Sequence, residues 1–158
     1  MNTHSEFTNI IKKNDIELDI ITIELDKTDL TKLQKSILLK VYKNIHDELI
    51  DIIDELNDED IDNIKISNSI LNITSICIKY IEKIKVNKRV INGNEKKIIV
   101  IELGRIIIKK NIENSESSLN ILNIYNLSVD IILENIISVS RVVNTLIKKK
   151  CNINFCCS

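Results

Sequence analysis

Residues 31–56 read TKLQKSILLKVYKNIHDELIDIIDEL and carry the clearest structural pattern in the chain. Apolar residues recur in it every three or four positions, and mostly polar and charged residues lie between them. This spacing is typical of an amphipathic helix with one buried face. Thr31 and Gln34 have the T-x-x-Q spacing of a capping box, which marks the helix start. The positions predicted to be buried are Leu33, Ile37, Val41, Ile45, Leu49, Ile52, Ile53 and Leu56.

Two later stretches repeat this spacing on either side of a turn. Cys77 lies on the apolar stripe of the first, so we expect a small core residue rather than a nucleophile. Asn92 and Gly93 predict the turn, and Asn94 is a candidate cap for the segment that follows. The apolar positions are Ile66, Ile70, Ile73, Cys77, Tyr80 and Ile84 in the first stretch, then Leu119, Leu122, Val129, Ile132, Ile136, Val143 and Leu146 or Ile147 in the second.

Residues 98–108 fit two structures. Ile-rich runs on both sides of Gly104 and Arg105 are a legitimate hairpin signal. Against this, Ile99 and Leu103 begin a line of apolar residues at helical spacing, and a lone hairpin among helices would lack a third strand. Helix is therefore the prediction for this segment.

Residues 1–30 carry the same ambiguity, because their apolar residues alternate like a strand and also line up at helical spacing. We predict a mainly α fold, a compact helical bundle. The alternative is an α+β fold in which a short N-terminal strand pairs with a hairpin at residues 98–108.

Length and composition indicate one domain. The chain has 158 residues, which is long enough for one core, and we divide it into a helical domain at 1–150 and a Cys-rich tail at 151–158. It contains 36 Ile and 20 Asn but no Ala, Pro or Trp, which indicates a very AT-rich genome. Because that bias supplies Ile at any apolar position, the Ile content is not evidence for strands.

Charge is divided unevenly along the chain. Residues 1–62 contain 16 acidic and 7 basic side chains, a net −9, and residues 63–158 contain 7 acidic and 15 basic ones, a net +8. We expect the acidic region at 47–62 to dock on the basic region at 79–110 of the same or a neighbouring chain, which allows a homo-oligomer. The alternative is a set of solvated helix faces. With only three arginines, the composition argues against nucleic-acid binding.

The N-terminal sequence lacks the apolar core and cleavage site of a signal peptide, and no stretch offers the roughly 18 uninterrupted apolar residues of a membrane span. We therefore expect a cytoplasmic protein whose four cysteines are thiols.

No residue set predicts an enzyme, a metal site or a cofactor. Asp58, Asp60 and Asp62 resemble the first ligands of a calcium loop, but Asn63 replaces the turn glycine and Ser69 replaces the bidentate glutamate. A solvated acidic loop is the interpretation.

The two histidines do not suggest catalysis. His4 lies near the N-terminus, and His46 lies on a polar flank of the 31–56 helix beside acidic residues, so a surface imidazole is expected. We predict no catalytic residue.

The C-terminal sequence KKKCNINFCCS is the one candidate contact site. A lysine triplet attracts anionic headgroups, and an acylated cysteine beside it would supply the second signal that stable anchoring needs. We expect the preceding helix to end near Ile147; the alternative is a disordered tail without a role. The candidate membrane-contact or lipidation residues are Lys148, Lys149, Lys150, Cys151, Phe155, Cys156 and Cys157.

The order of GNEKK at 93–97, IISVSR at 136–141 and KKKCNINFCC at 148–157 resembles small helical proteins of large nucleocytoplasmic DNA viruses. The resemblance covers roughly residues 75–158 and departs from the pattern at Arg141, where lysine is usual. It implies a virion-associated or other non-enzymatic role in the cytoplasm of an infected cell.

A second, shorter segment, IELGRIII at 101–108, is similar to the first homology motif of apoptosis regulators of the B-cell lymphoma type. That resemblance implies a groove in which Gly104 allows close approach of a death-motif helix and Arg105 pairs with its aspartate. No tryptophan precedes Gly104, and the second motif is missing. The alternative is a small residue at a tight helix crossing beside a surface arginine.

These observations favour a non-enzymatic viral structural or accessory protein that binds a protein partner or a membrane surface through its C-terminus. The alternative function is inhibition of host cell death.

Overall fold

The computed structural model describes residues 21–58, 60–86 and 89–153. Within them the chain is a bundle of α-helices, as the apolar spacing predicts. Residues 21–26 are the described part of helix α1. Then follow α2 (Lys32–Leu56), α3 (Asn63–Ile81), strands β1 (Lys85–Val86) and β2 (Arg89–Val90), α4 (Gly93–Asn111) and α5 (Ser115–Ile153).

Helix α2 begins at the predicted capping box. The Thr31 hydroxyl accepts a hydrogen bond from the Gln34 amide at 3.2 Å, and the Gln34 side chain accepts one from the Thr31 amide at 2.9 Å. These bonds satisfy donors that have no partner inside the helix. Most of the predicted stripe is buried, whereas Leu33 is exposed and Tyr42, which the pattern omits, is buried.

The next two helices start at short polar side chains. Asp62 caps α3 by accepting a hydrogen bond from the Lys65 amide at 2.8 Å. Asn92 caps α4 by accepting one from the Glu95 amide at 2.9 Å. The predicted cap at Asn94 is therefore wrong, because the helix already begins at Gly93. A residue two positions earlier, with extended backbone, satisfies the first amides.

Residues 98–108 are helical and lie inside α4, so a hairpin at this segment is wrong. Gly104 does not start a turn there, because it is a buried residue in the middle of the helix. The antiparallel pairing that the structure does describe is two residues long, with Lys85 opposite Val90 and Val86 opposite Arg89. The first 20 residues, and any N-terminal strand in them, lie outside the described residues.

Helix α3 lies at the centre and contacts α2, α4 and α5. Cys77 is fully buried in its middle, as its place on the apolar stripe predicts. Helix α5 is 39 residues long, whereas α3 and α4, on which it packs, have 19 residues each. Tyr125 and Leu133 anchor α5 in the core, although the predicted stripe contains neither residue.

Candidate functional site

Gly104 is the point at which α4 and α5 come closest. A Cβ atom added there would lie 2.8 Å from Cε2 of Tyr125 and closer still to its hydroxyl oxygen. That hydroxyl donates to the carbonyl oxygens of Val100 and Ile101, each at 3.2 Å. Burial raises the pKa of the Tyr125 phenol well above its ordinary value. Gly104 is thus the small residue of a tight helix crossing, and the space beside it is filled by the chain's own tyrosine.

Arg105 is engaged within the bundle. Its Nε donates to Oδ1 of Asn126 at 2.8 Å, and its guanidinium pairs with Glu102 one turn earlier in α4. The side chain is 36% exposed, so it lies along the surface seam between α4 and α5. An aspartate of a bound helix would have to compete with both partners.

The lysine triplet and the first terminal cysteine lie on a helix, not in a loose tail. Helix α5 continues through Lys148, Lys150 and Cys151 to Ile153, so the predicted end near Ile147 is wrong. Lysine favours the helix interior, and no glycine or proline interrupts these residues, so nothing in the sequence stops the helix earlier. Phe155, Cys156 and Cys157 lie outside the described residues.

The acidic C-terminal half of α2 meets the basic region at one point. Glu48 accepts hydrogen bonds from the Tyr80 hydroxyl at 2.5 Å and from Nζ of Lys79 at 2.9 Å, and these two bonds hold the pKa of Glu48 below its ordinary value. Nζ of Lys83 also lies 5.0 Å from the centre of the Tyr80 ring. Across the described residues, Glu48 is the sole member of region 47–62 paired with a lysine or arginine of region 79–110.

The start of α4 is tied to its neighbours by lysines. Lys96 pairs with Glu82 at 2.6 Å, and Lys97 pairs with Asp130 at 3.0 Å and Glu134 at 3.1 Å. The hydrogen bonds to these two carboxylates raise the pKa of Lys97. These contacts fix α4 against α5 and the end of α3.

The outer face of α2 has a different character. Lys32 and Lys43 are exposed near its N-terminal half, and Asp47 and Asp54 are exposed in its C-terminal half. In the described part of the chain, none of these four lies within 4.0 Å of an oppositely charged lysine, arginine, aspartate or glutamate. Ile50 lies between the two aspartates and is 45% exposed. Sequence reasoning missed this surface because it counted charge along the chain and not around the helix.

Nothing in the described residues assembles into a reactive centre. Burial raises the pKa of the Cys77 thiol to about 12, so the thiolate that would act as nucleophile does not form near neutral pH. Among the same residues no group of three His, Cys, Asp or Glu side chains could hold a metal ion. Asp58 and Asp62 of the calcium-like loop instead accept backbone hydrogen bonds from Asp60 and Lys65.

One segment of α5, Ser115–Ser138, is long and apolar enough to cross a membrane by length and composition alone. The sequence predicts no such segment, because charged residues interrupt its apolar positions. A single helix of this kind is weak evidence for a span, and this segment also places Tyr125 and Leu133 in the core. The finding therefore does not by itself indicate a membrane span.

Comparisons of the chain with protein-family models, with curated proteins and with solved structures find no match.

Proposed function

We propose that this protein is a non-enzymatic accessory or structural protein of a large DNA virus, which attaches to membrane surfaces in the cytoplasm of the infected cell. The C-terminal part of α5, residues 138–153, is its contact element. The lysine triplet at 148–150 binds anionic headgroups, and an acyl chain on Cys151 or a later cysteine makes the attachment stable.

The length of α5 is the observation that carries this proposal. Ile137 lines a surface cleft with Gly93 and Asn94, where α4 begins. Helix α5 then continues to Ile153, which adds about 24 Å at 1.5 Å per residue. The lysine triplet and Cys151 therefore lie on a continuous helix that is anchored in the core at Tyr125. Because these residues are already helical, binding to a membrane does not carry the entropic cost of ordering a flexible tail.

The magnitudes favour two cooperating signals. Each lysine near an anionic leaflet contributes about 1 kcal/mol, so the triplet contributes roughly 3 kcal/mol, which alone gives weak binding. A single acyl chain is also only marginal. Together the two contributions suffice for stable attachment.

The viral assignment rests on the resemblance at residues 75–158 and on the AT-rich composition. The cell-death alternative has no supporting observation, because Tyr125 fills the space beside Gly104 and Arg105 already has two partners. A binding function also needs no reactive thiol, and Cys77 is buried with a pKa raised to about 12.

Vesicle flotation tests the electrostatic part. A fraction of the full chain, unacylated and reduced, should float with vesicles rich in phosphatidylserine, since the lysines alone bind weakly, and none should float with pure phosphatidylcholine or at high salt. Replacing Lys148, Lys149 and Lys150 by Gln should remove it. The matched control replaces Lys65, Lys109 and Lys110 by Gln, which changes net charge equally but leaves α5 intact.

Cell fractionation tests the lipid part. Changing Cys151, Cys156 and Cys157 to Ser should release the protein from membranes without altering its melting temperature. Free thiols at all three positions in the cellular protein, or equal flotation of both lysine variants, would contradict membrane attachment. Mass spectrometry of purified virions then decides whether the protein is a structural component or remains in the host cell.

A further inference from the structure

The charges of α2 run against its own dipole. Residues 32–44 contain four lysines and no acidic residue, and residues 45–56 contain five acidic residues and no lysine or arginine. The N-terminal end of a helix is electropositive and favours acidic side chains, and the C-terminal end favours basic ones. Helix α2 has no acidic residue in its first turn and no basic residue in its last. Within a monomer this arrangement is destabilising, so contacts inside the helix do not account for it.

Contacts with the rest of the bundle account for only part of it, since Glu48 pairs with Lys79 at 2.9 Å and Glu55 accepts a hydrogen bond from Ser69 at 3.1 Å. Lys35 does pair with Asp26 of α1 at 3.5 Å. In the described residues, however, Lys32, Lys43, Asp47 and Asp54 have no lysine, arginine, aspartate or glutamate partner of opposite charge, and the one histidine contact is that of Asp47 with the adjacent His46, at 3.8 Å. These four residues share one face, because their spacings of 11, 4 and 7 are close to whole numbers of helical turns.

Two apolar residues lie on that face between the charges. Ile50 is exposed, and Leu39 is half-buried at the edge of the core. Leu39 and Ile50 are 11 residues apart, about three turns, so they lie on the same side of the helix. From Lys32 to Asp54, the outer face of α2 therefore reads basic, apolar, basic, acidic, apolar, acidic.

We propose that a second copy of this chain binds this face, with the two α2 helices antiparallel around a twofold axis. An antiparallel arrangement places the basic half of each helix beside the acidic half of the other and opposes the two helix dipoles. When the second helix runs in the opposite direction, each basic residue of this face comes opposite an acidic one and each apolar residue comes opposite an apolar one. The charge complementarity thus singles out another α2 helix as the partner.

The apolar residues fix the register. With the axis between residues 44 and 45, Leu39 of each copy lies opposite Ile50 of the other. In the same register Lys43 lies within one residue of the level of Asp47 of the second copy, and Lys32 lies within one turn of Asp54 of the second copy. In this register both apolar contacts and both sets of charge pairs form together.

This contact involves one helix from each copy, so it is smaller than the roughly 1,200–2,000 Å² of a standard interface. We expect a reversible dimer whose affinity depends on salt. The dimer is independent of the proposed function, because residues 138–153 do not take part in it.

The test uses the full chain with a thiol reductant, which prevents dimers linked through cysteines. Sedimentation velocity over a concentration series should show a monomer–dimer equilibrium at about 20 mM salt, and the dimer should weaken at least tenfold at about 500 mM because exposed charges are screened.

Charge reversal identifies the interface. The variant Lys32→Glu/Lys43→Glu has two acidic halves, and the variant Asp47→Lys/Asp54→Lys has two basic halves. Each alone should be monomeric, and an equimolar mixture of the two should form a heterodimer. The control Lys65→Glu/Lys109→Glu makes the same change in net charge on other helices. It should dimerise nearly as well as the wild type, with a slightly lower affinity because the two copies carry more negative charge.

The variants also separate association from folding. Lys32→Glu and Asp54→Lys each remove an unfavourable charge from a helix end, so in dilute solution, where the wild type is also monomeric, both variants should melt no lower than the wild type. A wild type that stays monomeric in low salt, charge-reversed variants that still dimerise alone, or a mixture that stays monomeric would each overturn the proposal.

Discussion

Tyr125 of α5 occupies the space into which any side chain at position 104 of α4 would have to fit. The phenol ring lies over Gly104, and its hydroxyl reaches two carbonyl oxygens of α4 at 3.2 Å. The glycine and the tyrosine are therefore one packing unit. This relationship explains why a glycine lies in the middle of a helix, where it costs about 1 kcal/mol relative to alanine.

Gly104→Ala should destabilise the protein although alanine favours helix. The new methyl group overlaps the buried ring, and overpacking of this kind costs about 1–3 kcal/mol, which exceeds the gain in helix propensity. Urea unfolding followed by circular dichroism measures the loss of stability.

A double-mutant cycle with Tyr125→Phe identifies the cause. Removing the hydroxyl takes away the atom nearest to the added methyl, so Gly104→Ala should cost less in the Tyr125→Phe background. Equal costs in both backgrounds, or no cost at all, would show that the crossing is looser than the structure gives.

The helices themselves could be predicted from sequence, since apolar spacing and the Thr31–Gln34 box specify α2 almost residue by residue. The Gly104–Arg105 pair could not be decided by local pattern, because a glycine between two Ile runs suits both a turn and a crossing. What decides it is Tyr125, which is 21 residues away in sequence from Gly104. Tyr125 lies in the core because of how α5 packs on α4, and it is not part of the apolar stripe that the sequence predicts for α5.

Asn57 joins the end of α2 to the loop between α4 and α5, and Asn57→Ala should cost about 1–2 kcal/mol. Its side-chain amide donates to the Asn111 carbonyl at 2.9 Å, and its side-chain oxygen accepts from the Glu113 amide at 3.0 Å. Asn44→Ala is the matched control, because Asn44 is exposed and, among the described residues, its side-chain amide donates to the Lys40 carbonyl of its own helix. Thermal melts that drop equally for both variants would contradict the role of Asn57 as a bridge.

Cys77 should make the fold sensitive to alkali. Its pKa is about 12 in the folded protein because of burial, whereas an unfolded thiol titrates near 9. Between pH 9 and pH 12, the Cys77 thiol therefore keeps its proton in the folded protein and loses it in the unfolded protein. The stability that is present below pH 9 is therefore lost as the pH rises towards 12, by up to about 1.4 kcal/mol per pH unit.

Comparison with Cys77→Val isolates this contribution. Valine has a similar size and does not titrate, so other groups cancel in the difference between the two proteins. Urea midpoints of the two should run parallel at pH 6–8 and diverge above pH 9, with the wild type falling faster. Parallel curves up to pH 11 would mean that the thiol is not sealed.

The outer face of α2 shows where sequence reasoning stopped. Net charge of the two halves of the chain predicted an attraction, and one contact of that kind exists between Glu48 and Lys79. The sequence could not reveal that Asp47 and Asp54 point away from the bundle, since that depends on which face of α2 the other helices cover.

Lys32→Glu should stabilise the monomer by about 0.3–1 kcal/mol, because it replaces an unfavourable charge at the positive end of α2. Lys40→Glu is the control, since it makes the same change in the interior of the helix, where the dipole has little effect. Melts at high salt, where the proposed dimer is absent and the effect is reduced, and at low salt separate the two contributions. If Lys32 contacts a second copy, Lys32→Glu should be less stable than the wild type in low salt at high protein concentration, because the wild type is then stabilised by association. In dilute solution the variant should be the more stable of the two.

Helix α5 should contain the lysine triplet, and Lys149→Pro tests this directly. Proline at position 149 removes the amide that bonds to the carbonyl of Thr145 and clashes with that carbonyl, so a helix running to Ile153 must break there. The ¹³Cα chemical shifts of residues 148–153 should be helical in the wild type and lose that character in the variant. Lys149→Gln is the matched control, because it removes the charge but keeps the helix. Random-coil shifts after Ile147 in the wild type would place Cys151 in a flexible tail, and Lys149→Pro would then leave the spectrum of the remaining residues unchanged.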